Sequence, residues 1–259
     1  MPDVQHAATG EQQVARWRRS VVATKGTHHE IDGTPMYPAR FECVLSFHEP
    51  GLAPARDASG AFHIGPDGAP TYARRFHHAW GFYEELACVV DNTGWFHIHP
   101  DGSDLYSARL AWCGNFQGRR CTVRGEDQRY FHITADGHPA YASRHLYAGD
   151  FREGAAVVRF SEDGLCGHLD VTGRTIHGQR FQDLDTFHKG FARARDRSGW
   201  MHVDRSGSPV YSARFASVEP FYNGQALVET MSGTRAVIGV DGVVAVEIGR
   251  RDSSARSGP

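Results

Sequence analysis

The sequence predicts an all-β repeat protein, built from units of about 35 residues with three short strands each. Two observations predict it first. Three marker columns recur at one spacing, and long helical periodicity is absent throughout. A His opens each unit, at His28, His63, His97, His132, His168 and His202, in steps of 35, 34, 35, 36 and 34 residues. An Arg twelve positions later keeps pace at Arg40, Arg75, Arg109, Arg144, Arg180 and Arg214, as does a Phe at Phe47, Phe82, Phe116, Phe151, Phe187 and Phe221. A seventh, partial copy starts near Val237 without its His and fades after Ile248. A fixed period of this length signals a stacked or circular array of supersecondary units.

The elements of one unit follow in order. Trp95-Phe96-His97-Ile98-His99 alternates apolar and polar residues, the period of a half-buried strand. Asp101-Gly102 supplies a tight turn, because glycine accepts positive φ without steric cost. The pair recurs at Asp32-Gly33, Asp67-Gly68, Asp136-Gly137 and Asp241-Gly242. A returning strand is expected through Tyr106 to Arg109, and a third after the Phe marker, as in Gly154-Ala155-Ala156-Val157-Val158. Val21-Val22-Ala23-Thr24 reads as a strand that could stand beside the partial seventh unit and join the two ends. Joined ends remove open sheet edges, so the expectation is a closed propeller-like ring of six or seven small blades. The alternative is an open β-solenoid. Residues 21–250 then form one repeat domain, between a disordered arm at 1–20 and a disordered tail at 251–259.

These units resemble the WG-repeat family, whose copies run as Gly-x-Trp-Gly-Tyr-Ile-Asp, a Gly turn, an apolar strand and Phe-x-x-Gly-x-Ala-x-Val. Gly94-Trp95-Phe96-His97-Ile98 and Gly199-Trp200-Met201-His202-Val203-Asp204 carry the opening, and Phe151-Arg152-Glu153-Gly154-Ala155-Ala156-Val157 carries the close. Phe96 and Met201 replace the second Gly, and His stands where the family has an aromatic. The resemblance spans about residues 28–248. It implies a β-repeat scaffold and no particular reaction.

Composition narrows the function classes. Twenty-eight basic against 30 acidic residues leave a net charge of −2, without the basic face that nucleic-acid binding requires. No stretch approaches the ~20 apolar residues of a membrane span, and the first 24 residues lack a secretory apolar region. The chain is therefore read as cytoplasmic, with neither a nucleic-acid nor a membrane partner. Five cysteines (Cys43, Cys88, Cys113, Cys121, Cys166) occupy no repeated column and form no Cys-x-x-Cys. They read as small buried hydrophobes.

Sixteen histidines make the chain His-rich. Converging rings of His63, His97, His132, His168 and His202 are the candidate site for a divalent transition metal. The competing reading pairs each His with the Tyr across the turn, His63 with Tyr72 and His97 with Tyr106, or with a backbone carbonyl. The Arg column offers either an anion site (Arg75, Arg109, Arg144, Arg214) or internal bracing. Trp80, Tyr83, Trp112 and Tyr222 distinguish one unit from another near loops and are candidate contact residues. Glu84-Glu85 and Asp183-x-Asp185 read as solvated acids. Catalytic signatures such as Gly-x-Ser-x-Gly or His-Glu-x-x-His are absent from the sequence. The leading expectation is a module that binds a small molecule or protein at a central or loop-face site. The alternatives are an enzyme with a His-held metal and an accessory domain beside a separate enzyme.

Overall fold

The computed structural model describes residues 16–250. Seven small antiparallel sheets follow one another along the chain, and besides strands the described elements include only the 3-10 turn Trp17–Arg19. The third sheet is representative: His78–Tyr83, Leu86–Asp91 and Gly94–Ile98 pair in that order. The sixth repeats it with Asp183–Leu184, Ala192–Asp196 and Gly199–Val203. The second, fourth and fifth sheets have the same three-strand order. The seventh adds a fourth strand, Val244–Arg250, beside Thr234–Gly239.

The described residues divide into two compact units, 16–128 with 133–138, and 129–132 with 139–250. The first has cores around Phe62, Ile64 and Val44, and around Phe82, Phe96 and Ile98. The second is built on Phe187, Val203, Phe221 and Ile238, with a smaller cluster at Val158, Phe160 and Leu169.

The sheets are phased differently from the sequence units. The returning segment through Tyr and Arg was expected to be a strand; in the first sheet Thr34–Pro35 does pair with Glu30 and Ile31, but in the third unit the segment meets the His strand only at isolated bridges, Ile98 with Asp104 and Trp95 with Leu110. The physical reason is the Arg. Arg109 Nη1 donates to the carbonyls of Tyr106, Ser107 and Ala108, and Arg75 does the same to Tyr72, Ala73 and Arg74. Three successive carbonyls converging on one guanidinium require a curled backbone, not an extended one. The short strand that opens the next sheet instead follows the Arg, as at Trp112–Cys113.

Three further expectations are corrected. The first unit begins at His29, whose ring takes the repeated position, while His28 pairs outward with Glu30 at 3.1 Å. Val21–Val22, expected beside the partial seventh unit, pairs with Glu30 and His29 of its own sheet, and Val237 of that unit is flanked by Leu227 and Val246. Of the arm assigned to residues 1–20, Trp17 is buried, and its indole nitrogen lies 2.8 Å from where a Cβ on Gly51 would sit. Residues 1–15 and the tail 251–259 lie outside the described residues.

Candidate functional site

The repeated His are closed fasteners. Each ring is buried, and its Nε2–H donates to the carbonyl seventeen residues on: Trp80 for His63 (2.8 Å), Gly114 for His97 (3.0 Å), Gly149 for His132 (2.8 Å), Asp185 for His168 (2.8 Å) and Glu219 for His202 (2.8 Å). A carbonyl only accepts, so Nε2 carries the proton and Nδ1 accepts. Its donor is the Tyr hydroxyl nine residues on, Tyr106 at 2.7 Å for His97 and Tyr211 at 2.6 Å for His202, with Tyr72 and Tyr141 for His63 and His132. In the fifth copy His177 replaces the Tyr and meets His168 Nδ1 at 2.9 Å. The Phe marker packs on each ring, from 3.9 Å at Phe221 to 4.8 Å at Phe116. Burial lowers His63, His168 and His202 to about 4, against the carbonyl bonds that raise them. With both nitrogens occupied in this way, the five rings sit in separate sheets rather than around one ion.

The Arg column is also turned inward. Arg75, Arg109 and Arg144 lie over Phe62, Phe96 and Phe131 at 3.9, 3.7 and 4.1 Å. Arg214 donates to the Ser212 and Ala213 carbonyls and to Asp196 at 2.8 Å. Where the Phe is replaced by Gly167, Phe160 fills the vacant volume, its ring 2.7 Å from the position of a Cβ, and Arg180 stacks on it at 3.8 Å.

Among the unrepeated candidates, Trp80 stacks on Trp95 at 4.8 Å, and Trp112 lies half-buried against Gly114. Tyr83 is more open and leans on His48 at 4.8 Å. Tyr222, 60% exposed, borders a cleft of about 380 Å³ in the second unit, with Tyr147, Arg152, Asp185, His188 and Arg193. Arg152 Nη2 donates to His188 Nδ1 at 3.0 Å, which places the ring proton on Nε2. That Nε2–H is buried and has no partner. Arg193 is committed to Asp185 at 2.5 Å and to the Val218 carbonyl at 3.0 Å. Arg152 meets the His188 ring, and no carboxylate is paired with it among the described residues. Tyr147 is 48% exposed, so the lining of the cleft combines an exposed cation, a half-buried imidazole and two accessible aromatic rings.

Sequence reasoning found Tyr222 and missed the rest of this cleft. The signal was present in the residue after each Phe marker: His48, Tyr83, Gln117, Arg152, His188 and Tyr222 change from copy to copy. The acids beside this column are not merely solvated. The Glu84 carboxylate accepts from the Gly118 and Arg119 amides at 2.6 and 2.7 Å, and Glu153 accepts from Lys189 and Gly190 at 2.7 and 3.1 Å. Each ties its turn to the next. Asp183 and Asp185 face Arg195 and Arg193.

Two of the five cysteines gather with His97, and a third, Cys121, reaches the same ring. The ligand-type atoms of Cys88, His97 and Cys113 lie within 4.8 Å of one another, all buried, and Cys121 Sγ is 3.6 Å from His97 Nε2. Burial pushes the Cys88 thiol and the Tyr106 hydroxyl up. For Cys113 burial acts the same way, but hydrogen bonding from Cys88 and His97 outweighs it and holds the thiol below its usual range.

No protein-family profile and no curated protein matches the chain. Among solved structures it is similar to BamB from Moraxella catarrhalis (14% identity, TM-score 0.46, covering 84% of this chain and 78% of that one). It is also similar to the computationally designed Ika8 protein (10%, 0.45, covering 90% and 84%) and to the WD40 β-propeller domain of Doa1 (12%, 0.35, covering 81% and 86%).

Proposed function

We propose that the chain is a binding module that takes an anionic group, carboxylate or phosphate, beside an aromatic or apolar moiety of its ligand, in the cleft between Tyr147 and Tyr222. The observation that carries this is the buried, unpartnered Nε2–H of His188 next to Arg152. A buried donor without a partner costs free energy until an acceptor reaches it. A bound anion supplies that acceptor and gains charge-assisted bonds from Arg152. Tyr147 and Tyr222 offer large rigid surfaces at low entropic cost, the residue type that dominates recognition sites. Repeated side chains are consumed by the scaffold, so recognition falls to the positions that vary.

Phenyl phosphate and benzoate are suitable probes, with benzylamine as the cationic control. Isothermal titration should show binding of both anions and none of benzylamine. Arg152→Ala and Tyr222→Ala should each weaken the anions by at least about tenfold, a loss of ~1.4 kcal/mol, with unchanged melting temperature because both side chains are exposed. Equal affinity for benzylamine and benzoate would sink the proposal.

A further inference from the structure

Cys88 stands directly across the strand pair from His97 in the third sheet, while Cys113 and Cys121 come from the two strands that follow it. In the other copies the position across from the His holds Pro54, Val157 or Arg193. The position of Cys113 holds Val44, Ala79, Ala148, Leu184 or Val218, and that of Cys121 holds Ala53, Ala87, Ala192 or Ala226. Apolar residues thus satisfy the packing at these last two positions everywhere else. Only here do thiols take these places, and they take all three at once. The Sγ of Cys88 lies 3.6 Å from the Cys113 carbonyl, and Cys113 Sγ lies 3.7 Å from the Tyr106 hydroxyl.

We propose that Cys88, Cys113, Cys121 and His97 form a closed structural site for a soft divalent ion, zinc above all, that pins the third sheet to the strands Trp112–Cys113 and Arg120–Arg124. Three thiolates and one imidazole are a standard tetrahedral zinc set. Zinc–sulfur and zinc–nitrogen bonds of about 2.3 and 2.0–2.1 Å place S and N about 3.6 Å apart in a tetrahedron. Cys121 Sγ and His97 Nε2 are already at that separation. Binding through Nε2 gives up the Gly114 carbonyl and leaves the ring proton on Nδ1, which then donates to the Tyr106 hydroxyl oxygen as an orienting partner, the usual support for a metal-bound His. His97 differs in this from His63, His168 and His202, which have no thiol bonded to the ring among their described contacts. Binding displaces the thiol protons to solvent and changes no oxidation state.

The test is metal content and cobalt spectroscopy on the full chain, expressed without a His tag and refolded with Zn²⁺ or Co²⁺ under reducing conditions. The expected result is stoichiometric zinc and, with cobalt, thiolate-to-metal charge-transfer bands of a tetrahedral site. Cys113→Val and Cys121→Ala insert residues that other copies carry at these positions, so both variants should fold, shown by an unchanged circular dichroism spectrum. Each should lose the charge-transfer bands and bind zinc at least tenfold more weakly, whereas Cys43→Ser, at an exposed cysteine, should bind normally. A folded wild-type chain that takes up neither ion, or a Cys113→Val variant that binds as the wild type does, would overturn the site.

Discussion

His202 illustrates what the repeated residues do: it donates to the Glu219 carbonyl, accepts from Tyr211, and packs 3.9 Å from Phe221. One side chain thereby satisfies two polar groups inside an apolar layer, where each would otherwise cost about 1–3 kcal/mol. This pairing was legible in the sequence because His and Tyr stand nine residues apart across a turn at His63, His97, His132 and His202. The start at His28 was misread because His28 and His29 are adjacent and only the hydrogen bonds distinguish them. His177 is the exception in its column. It takes the place of Tyr, and its Nδ1 is buried without a partner. The substitution His177→Tyr should remove that orphan and restore the hydroxyl donor to His168, raising stability by about 1 kcal/mol. Urea unfolding of the two proteins measures it, and a lower midpoint for the variant would show that the site has been shaped around the imidazole.

At the scale of the element, the turn of one copy is the seat for the Tyr of the copy before it. Gly102 has φ +81°, and a Cβ there would stand 2.6 Å from the Tyr72 ring. Gly33 has a similar φ of +75° with nothing within 4 Å of its Cβ position. The two positions separate conformational strain from lost packing. Gly33→Ala should cost only the strain of a left-handed alanine, about 1 kcal/mol, and Gly102→Ala clearly more, by thermal or urea unfolding. The Asp-Gly pair made these turns legible. The curled Tyr-to-Arg segment was not, because nothing in its composition reveals that Arg75 or Arg109 bonds three successive carbonyls. The cysteine cluster escaped for a related reason: Cys88, Cys113 and Cys121 share no column, and only sheet pairing brings them together.

Across the whole molecule, the buried neutral histidines set the response to acid. His63, His168 and His202 are lowered to about 4 from an ordinary 6.5, first by burial. Between these values the unfolded chain takes up protons that the folded chain refuses, so stability falls as pH drops from 6.5 to 4. Each ring contributes up to about 3 kcal/mol, since a tenfold difference in proton affinity is worth roughly 1.4 kcal/mol. The aspartates lowered by turn hydrogen bonds, such as Asp57 and Asp204, begin from 3.8 and act below this window. Urea midpoints measured from pH 7.5 to 4 should therefore decline steeply before the carboxylates titrate. A flat profile would mean that the rings are charged in the folded state. The repeat was legible in the sequence at this scale because three columns share one period. The functional positions were less so, since they are defined by their departure from it.

The repeated histidines have both ring nitrogens occupied and His188 does not, and imidazole nitrogen NMR tests that difference most directly. In a long-range ¹H–¹⁵N spectrum at neutral pH, phenyl phosphate should move the Nε2 resonance of His188. It should leave His63, His168 and His202 in place, each as the neutral Nε2–H tautomer. Movement of the repeated rings with His188 unchanged would contradict the account and return the repeated column to the centre of function.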